Sequence, residues 1–199
     1  PRLPLRVRTE FRMLLETLLG DPHTEVVRAA IRSARSCVER EPMLVPALVG
    51  LLADPTYRRD ASEALVAAGT DGVAALGHFL SDRDERPSVR RHIPSVLARI
   101  GSQSAVDVLG ALLEDADGHL RFKCLEALER IHRRDPSLQV PRAPIERLML
   151  QEARRFATAL TLARNLTTSD SSLSTSLVVR TLDDKCSRSQ DRLYRLLGL

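Results

Sequence analysis

The chain has 199 residues, 43 % apolar and only 3 % aromatic, and its 30 Lys+Arg against 26 Asp+Glu leave a formal net charge of +4. That length can bury a substantial core, while Cys37, Cys124 and Cys186, odd in number and without a CxxC pair, suggest neither a disulfide framework nor a zinc site and fit a reducing, cytoplasmic setting. The longest nearly continuous apolar stretch, Leu44 to Ala53, contains a proline and is too short to cross a bilayer, and the Arg-rich start Pro1 to Arg12 lacks the apolar segment of a signal peptide.

Alanine, leucine, arginine and glutamate dominate, and alternating Val/Ile/Thr runs bounded by hairpin turns are missing, so the chain reads as all-helical. The first unit, about 10–40, pairs a helix over Glu10–Leu19 with one over Thr24–Glu39 across the turn Gly20-Asp21-Pro22-His23. Phe11, Leu14, Leu15, Leu18 and Leu19 on the first helix, and Val27, Ala30, Ile31, Ala34 and Val38 on the second, recur at helical spacing. The second unit, about 43–69, runs Leu44–Leu52, turn Ala53-Asp54-Pro55, then Tyr57–Ala68. Pro55 suits the opening of the next helix and Gly69 a left-handed stop. The third, about 72–101, runs Gly72–Leu80, a charged turn over 81–86, then Pro87–Ile100 stopped by Gly101, with Pro94 predicted to bend that helix. The fourth, about 103–134, runs Ala105–Glu114, the turn 115–118, then Leu120–Arg133, ended by Asp135-Pro136. Four helical hairpins thus fill residues 1–136.

Beyond them Pro136, Pro141 and Pro144 mark an extended connector. A helix over about Ile145–Asn165 follows, with a stripe of Ile145, Leu148, Met149, Phe156, Ala159, Leu160 and Ala163. Thr167 to Ser172 reads as a loop, and Ser174–Leu197 as a last helix carrying Val178, Leu182, Cys186, Leu193 and Leu196 on one side. Residues 137–199 are therefore expected to form a two-helix C-terminal cap or junction packed on the array, since an end repeat would otherwise leave its apolar face in water. The start at Pro1 and the apolar end Leu196–Leu199 read as those of a segment from a longer protein.

Four arginines, Arg28, Arg59, Arg90 and Arg121, fall at a constant interval of 31 residues, each after an Asp-bearing turn (Asp21, Asp54, Asp82, Asp115). A period of that size marks a solenoid of stacked repeats. The residues Asp21-Pro22-His23-Thr24-Glu25-Val26-Val27-Arg28, Asp54-Pro55, Val89-Arg90 and Leu120-Arg121, with the lead-in Leu44 to Leu52, resemble a HEAT repeat over roughly residues 10–134. The resemblance implies an armadillo-like α-α superhelix of about four hairpins plus two C-terminal helices. It also implies that the turn aspartates and second-helix arginines form a ladder of partly buried ion pairs between repeats. Arg90 to Gly101, Leu120 to Leu128 and the tail Arg192 to Leu199 further resemble the HEAT region of large bacterial membrane proteins with an ATP/ADP-translocase-like or major-facilitator-like transporter domain. That likeness implies a cytosolic domain tethered to a transporter.

The chemistry-bearing residues point away from catalysis. His23, His78, His92, His119 and His132 are scattered and none is followed by glutamate, Asp115-x-Asp117-Gly118 lacks the further ligands of a calcium loop, and neither a G-x-S-x-G elbow nor a Gly-rich phosphate loop occurs. No catalytic, metal or cofactor site is assigned. In a HEAT superhelix the second helices line the concave side, which places Arg58, Arg91, Arg130, Arg133 and Arg134 as candidate partner-binding residues. The expected function is a non-catalytic protein–protein scaffold or regulatory domain whose partner is another protein or another domain of the same polypeptide. A nucleic-acid-binding array is the alternative, weakened by the lack of tryptophan and the presence of only Tyr57 and Tyr194 as tyrosines. A HEAT-type lyase subunit is the third reading. Every cation except Lys123 and Lys185 is arginine, a preference that coding bias explains, so it does not by itself favour nucleic acid.

Overall fold

The computed structural model describes residues 5–115 and 117–169, and beyond them 180, 181, 184, 187 and 191. Each hairpin begins with a helix whose apolar stripe meets that of the helix after the turn. The first pairs α1 (Leu5–Leu19) with α2 (Thr24–Arg35), where Val27, Ala30, Ile31 and Ala34 are buried at helical spacing. Glu25 in the first turn of α2 and Arg32 and Arg35 in its last turn suit the helix dipole. In the second hairpin Pro46 has no N–H to give to the Pro42 carbonyl. The chain enters as a 3₁₀ turn (Pro42–Leu44), continues as α3 (Val45–Gly50) and leaves through another 3₁₀ turn (Leu51–Ala53) before α4 (Arg58–Ala67). Gly69 follows with φ +58°, the left-handed stop that its position predicts.

The third hairpin is α5 (Val73–Ser81) with α6 (Pro87–Arg90) and α7 (Ile93–Ile100). Pro94 does more than bend the second helix. It breaks it at Arg91-His92 and takes a place in the first turn of α7, where its missing N–H is not needed. Gly101 closes α7 with φ +62°. The fourth hairpin is α8 (Gln103–Ala111), a 3₁₀ turn (Leu112–Glu114) and α9 (Gly118–Arg134). Ser102 caps α8 by accepting from the Ala105 amide at 3.2 Å, and Asp117 caps α9 by accepting from the His119 and Leu120 amides at 2.8 and 3.3 Å.

Contacts run along two rows. The first helices α1, α3, α5 and α8 pack in series on one side, and α2, α4, α7 and α9 pack in series on the other, with the core between them. Leu44, Leu48, Leu52, Leu65, Leu76, Leu80, Ile93, Leu97, Leu109, Leu113 and Leu120 are fully buried there. All described elements are helical, as in an α-α superhelix. A Cβ on Gly77 would stand 3.1 Å from Val108, so the glycine sets the close approach of α5 to α8.

The connector after α9 is pinned to α8: the Gln103 side chain donates to the Gln139 carbonyl and accepts from the Gln139 amide, both at 2.9 Å. α10 (Arg142–Ser169) then buries Ile145 and Leu148 in the same core. This helix extends through Thr167, Thr168 and Ser169, where the polar composition predicts a loop; a helix already propagating adds each residue at little cost even when its propensity is modest. The predicted packing stripes are also wider than the observed ones. Phe11 (42 % exposed), Leu14 (55 %) and Leu160 (47 %) face outward, because α1 and α10 have described neighbours on one side only. The predicted last helix, Ser174–Leu197, lies outside the described residues apart from single positions. No single described helix is long and apolar enough to cross a membrane; Arg58–Ala67 and Gly69–Ser81 reach that length and composition only together, bent by 114°.

Candidate interaction groove on the second-helix row

The turn aspartates act first on their own turns. Asp21, Asp54, Asp82, Asp115 and Asp135 each accept the amide two residues ahead, at 2.7, 2.8, 2.9, 2.7 and 3.1 Å, closing an Asx turn between helices. These bonds to the charged form hold the Asp21 carboxyl below its usual range, through the His23 amide, and that of Asp135, through the Ser137 hydroxyl and amide.

The arginines act on the preceding helix. Arg58 Nε donates to the Leu52 carbonyl at 2.9 Å and Nη2 to Ala53 at 3.1 Å; Arg90 Nε donates to Leu80 at 2.9 Å; Arg121 Nη1 donates to Asp115 O. In the second, third and fourth hairpins the second helix thus satisfies carbonyls left open at the end of the first. The 31-residue interval places Arg59 in the expected ion-pair ladder with the turn aspartates, but Arg59 is 89 % exposed and lies 3.6 Å from Glu63, while its neighbour Arg58 turns inward. Arg28 departs too, pairing with Glu25 at 3.4 Å. At the third repeat an arginine joins a turn aspartate of the next one: Arg90 Nη2 is 3.3 Å from Asp115 Oδ2, both side chains under 10 % exposed. The described contacts thus give a buried inter-repeat rung at Arg90–Asp115, with carbonyl capping beside it, while Arg28 and Arg59 pair with glutamates of their own helices.

Of the five predicted partner-binding arginines, two meet in one place. A groove of about 350 Å³ opens between the second helices of repeats three and four. Arg91, His92 and Ser95 line one wall and His119, Lys123, Glu126 and Arg130 of α9 the other. Glu126 lies 3.0 Å from Lys123 and 3.2 Å from Arg130, so one carboxylate serves two cations, and Arg91 reaches Asp117 only at 3.5 Å. His92 is held below its ordinary value of 6.5, first by burial and then by the positive charges of Arg58 and Lys123. The other predicted arginines stand apart: Arg58 is committed to carbonyls, Arg133 to Glu129, and Arg134 to the Ala98 and Arg99 carbonyls at 3.1 and 3.3 Å.

His92 and Lys123 were not singled out by sequence. The signal was present as polar stripes at 88, 91, 92 and 95 and at 119, 123, 126 and 130, but a stripe does not say whether it faces a neighbour or open water. The two described cysteines are poorly disposed to react. Burial pushes the Cys124 thiol up to about 12, helped by the Asp115 carboxylate and opposed by Arg90, and burial with nearby Glu41 raises Cys37. Among the described residues no group of three or more His, Cys, Asp or Glu is placed to hold a metal ion.

Residues 73–143, which run from α5 to the start of α10, match the family model described as HEAT repeats. No curated protein matches the chain.

Proposed function

We propose, from the premise that the chain carries a HEAT-repeat helical solenoid, that it works as a non-catalytic protein–protein interaction or regulatory domain. HEAT repeats commonly act as such scaffolds, and one observation here supports the reading: the second helices α2, α4, α7 and α9 stack into a single row and leave a polar groove between two of them. A stacked array presents a broad preformed surface at little cost in ordering, which suits recognition of another polypeptide. The likeness of Arg90–Gly101 and Leu120–Leu128 to HEAT regions joined to transporters supports a partner domain within the same polypeptide, on the cytosolic side of a membrane.

Affinity capture with this domain as bait, with and without nuclease and at low and high salt, tests the reading. The expected result is a discrete protein recovered in fixed ratio to the bait regardless of nuclease, with cross-links mapping to the α2/α4/α7/α9 row. A catch made only of nucleic acid and lost at high salt would overturn it in favour of a nucleic-acid-binding array.

A further inference from the structure

We propose that the groove between α7 and α9 anchors an acidic segment of the protein partner, with a carboxylate or phosphoryl side chain seated among Arg91, His92, Lys123 and Arg130. The inference rests on the scaffold reading and gives it a place and a chemistry.

Charge and exposure carry the argument together. Arg91, Lys123 and Arg130 keep 43, 38 and 58 % of their side chains exposed, whereas Glu126, the acidic group lining the groove, keeps 21 %. The cationic heads thus stand at the opening and the carboxylate lies deeper, holding two of them in place. A guanidinium has five donors and an ammonium three, so one contact each to Asp117 or Glu126 leaves donors for an incoming oxyanion. Burial first, and then the positive charges of Arg58 and Lys123, lower the pKa of His92, and an anion seated beside it would oppose that lowering. An arriving carboxylate or phosphoryl group gains charge-assisted hydrogen bonds in a half-enclosed space where water screens them less.

The same geometry favours a peptide over a nucleic-acid backbone. A duplex or strand needs a run of cations matched to successive phosphates, and single strands also need stacking surfaces. Here Arg133 lies outside the groove lining, Arg134 and Arg58 are spent on carbonyls, and among the described residues no Phe or Tyr lines the groove. What remains is a compact patch suited to one or two acidic side chains.

Fluorescence anisotropy on the whole chain tests this with four labelled probes of equal length: a Glu-rich peptide, a phosphoserine peptide, a Gln-substituted neutral peptide and a single-stranded oligonucleotide. The expected result is binding of at least one acidic peptide about tenfold tighter than the neutral one. Preference for phosphoserine or for glutamate identifies the anion. Arg91→Glu/Lys123→Glu should abolish that preference, while Arg32→Glu/Arg154→Glu, an equal change of net charge on exposed sites of α2 and α10, should leave it within about twofold. Far-UV circular dichroism melts verify that both variants fold. Equal binding of acidic and neutral peptides, equal losses in the two double variants, or tightest binding by the oligonucleotide would overturn the proposal. A captured partner that still binds Arg91→Glu/Lys123→Glu would overturn the groove assignment while leaving the scaffold reading intact.

Discussion

Replacing Arg90 by alanine removes two interactions at one stroke: the Nε bond that caps the Leu80 carbonyl at 2.9 Å and the 3.3 Å pair with Asp115. Truncating one partner of a buried pair typically costs about 3–5 kcal/mol, chiefly because the other charge is stranded. Asp115 is 8 % exposed in its side chain, yet its Oδ1 keeps the 2.7 Å bond from the Asp117 amide, so the lower end of that range, about 3 kcal/mol, applies here. For a chain of this length about 3 kcal/mol corresponds to a fall in Tm of roughly 6–12 °C. Arg59→Ala is the matched control, since that side chain is 89 % exposed and should change stability by less than about 0.5 kcal/mol. Thermal melts followed by far-UV circular dichroism on wild type, Arg90→Ala, Arg59→Ala and Arg90→Ala/Asp115→Ala form the assay. The double variant should recover part of the loss, because it removes the stranded carboxylate. Arg90→Ala and Arg59→Ala melting together would refute the inter-repeat rung and leave the arginine period without the structural meaning given to it here.

Three further outcomes are expected. Asp117→Ala should cost about 1 kcal/mol through loss of the α9 cap, read by urea denaturation. Burial alone would raise the Asp117 carboxyl, but the His119 and Leu120 amides and Arg91 more than offset it and hold its pKa below 3.8. Its contribution is thus complete above that value and lost as pH falls through the lower folded one, a loss the variant should not show. In native protein, Cys124 should resist iodoacetamide at pH 8, since a thiol with a pKa of about 12 is almost wholly protonated there, and should label on unfolding; peptide mapping that finds it modified in the native state would contradict its burial. His92 faces Arg58 from α4 and shares the groove with Arg91, His119, Lys123, Glu126 and Arg130, so a bound anion should raise its pKa. Binding of the acidic peptide should therefore tighten, by about threefold, as pH falls from 7.5 to 6, and His92→Gln should flatten that dependence.

The solenoid was legible because its physics is local and repeated. A leucine-rich stripe, an aspartate that closes a turn on its own backbone, and a glycine at φ +58° or +62° each act within a few residues, and a fixed interval multiplies the signal. Placement of the arginines was less legible, since a period of 31 fits both Arg58 and Arg59 to within one residue. A one-residue step around a helix turns a side chain by about 100°. Arg58 is the one that reaches the Leu52 carbonyl, from a chain that leaves α3 through the 3₁₀ turn Leu51–Ala53, a geometry that the interval alone does not encode. The groove lies one level further out. Its walls belong to different repeats, and its charge depends on which cations are already occupied, Arg133 by Glu129 and Arg134 by carbonyls across the α7–α9 contact. Counting arginines by sequence gives five candidates of equal standing; only their packing separates Arg91 and Arg130, which line one groove, from Arg58 and Arg134, which cap carbonyls, and Arg133, which pairs within its own helix.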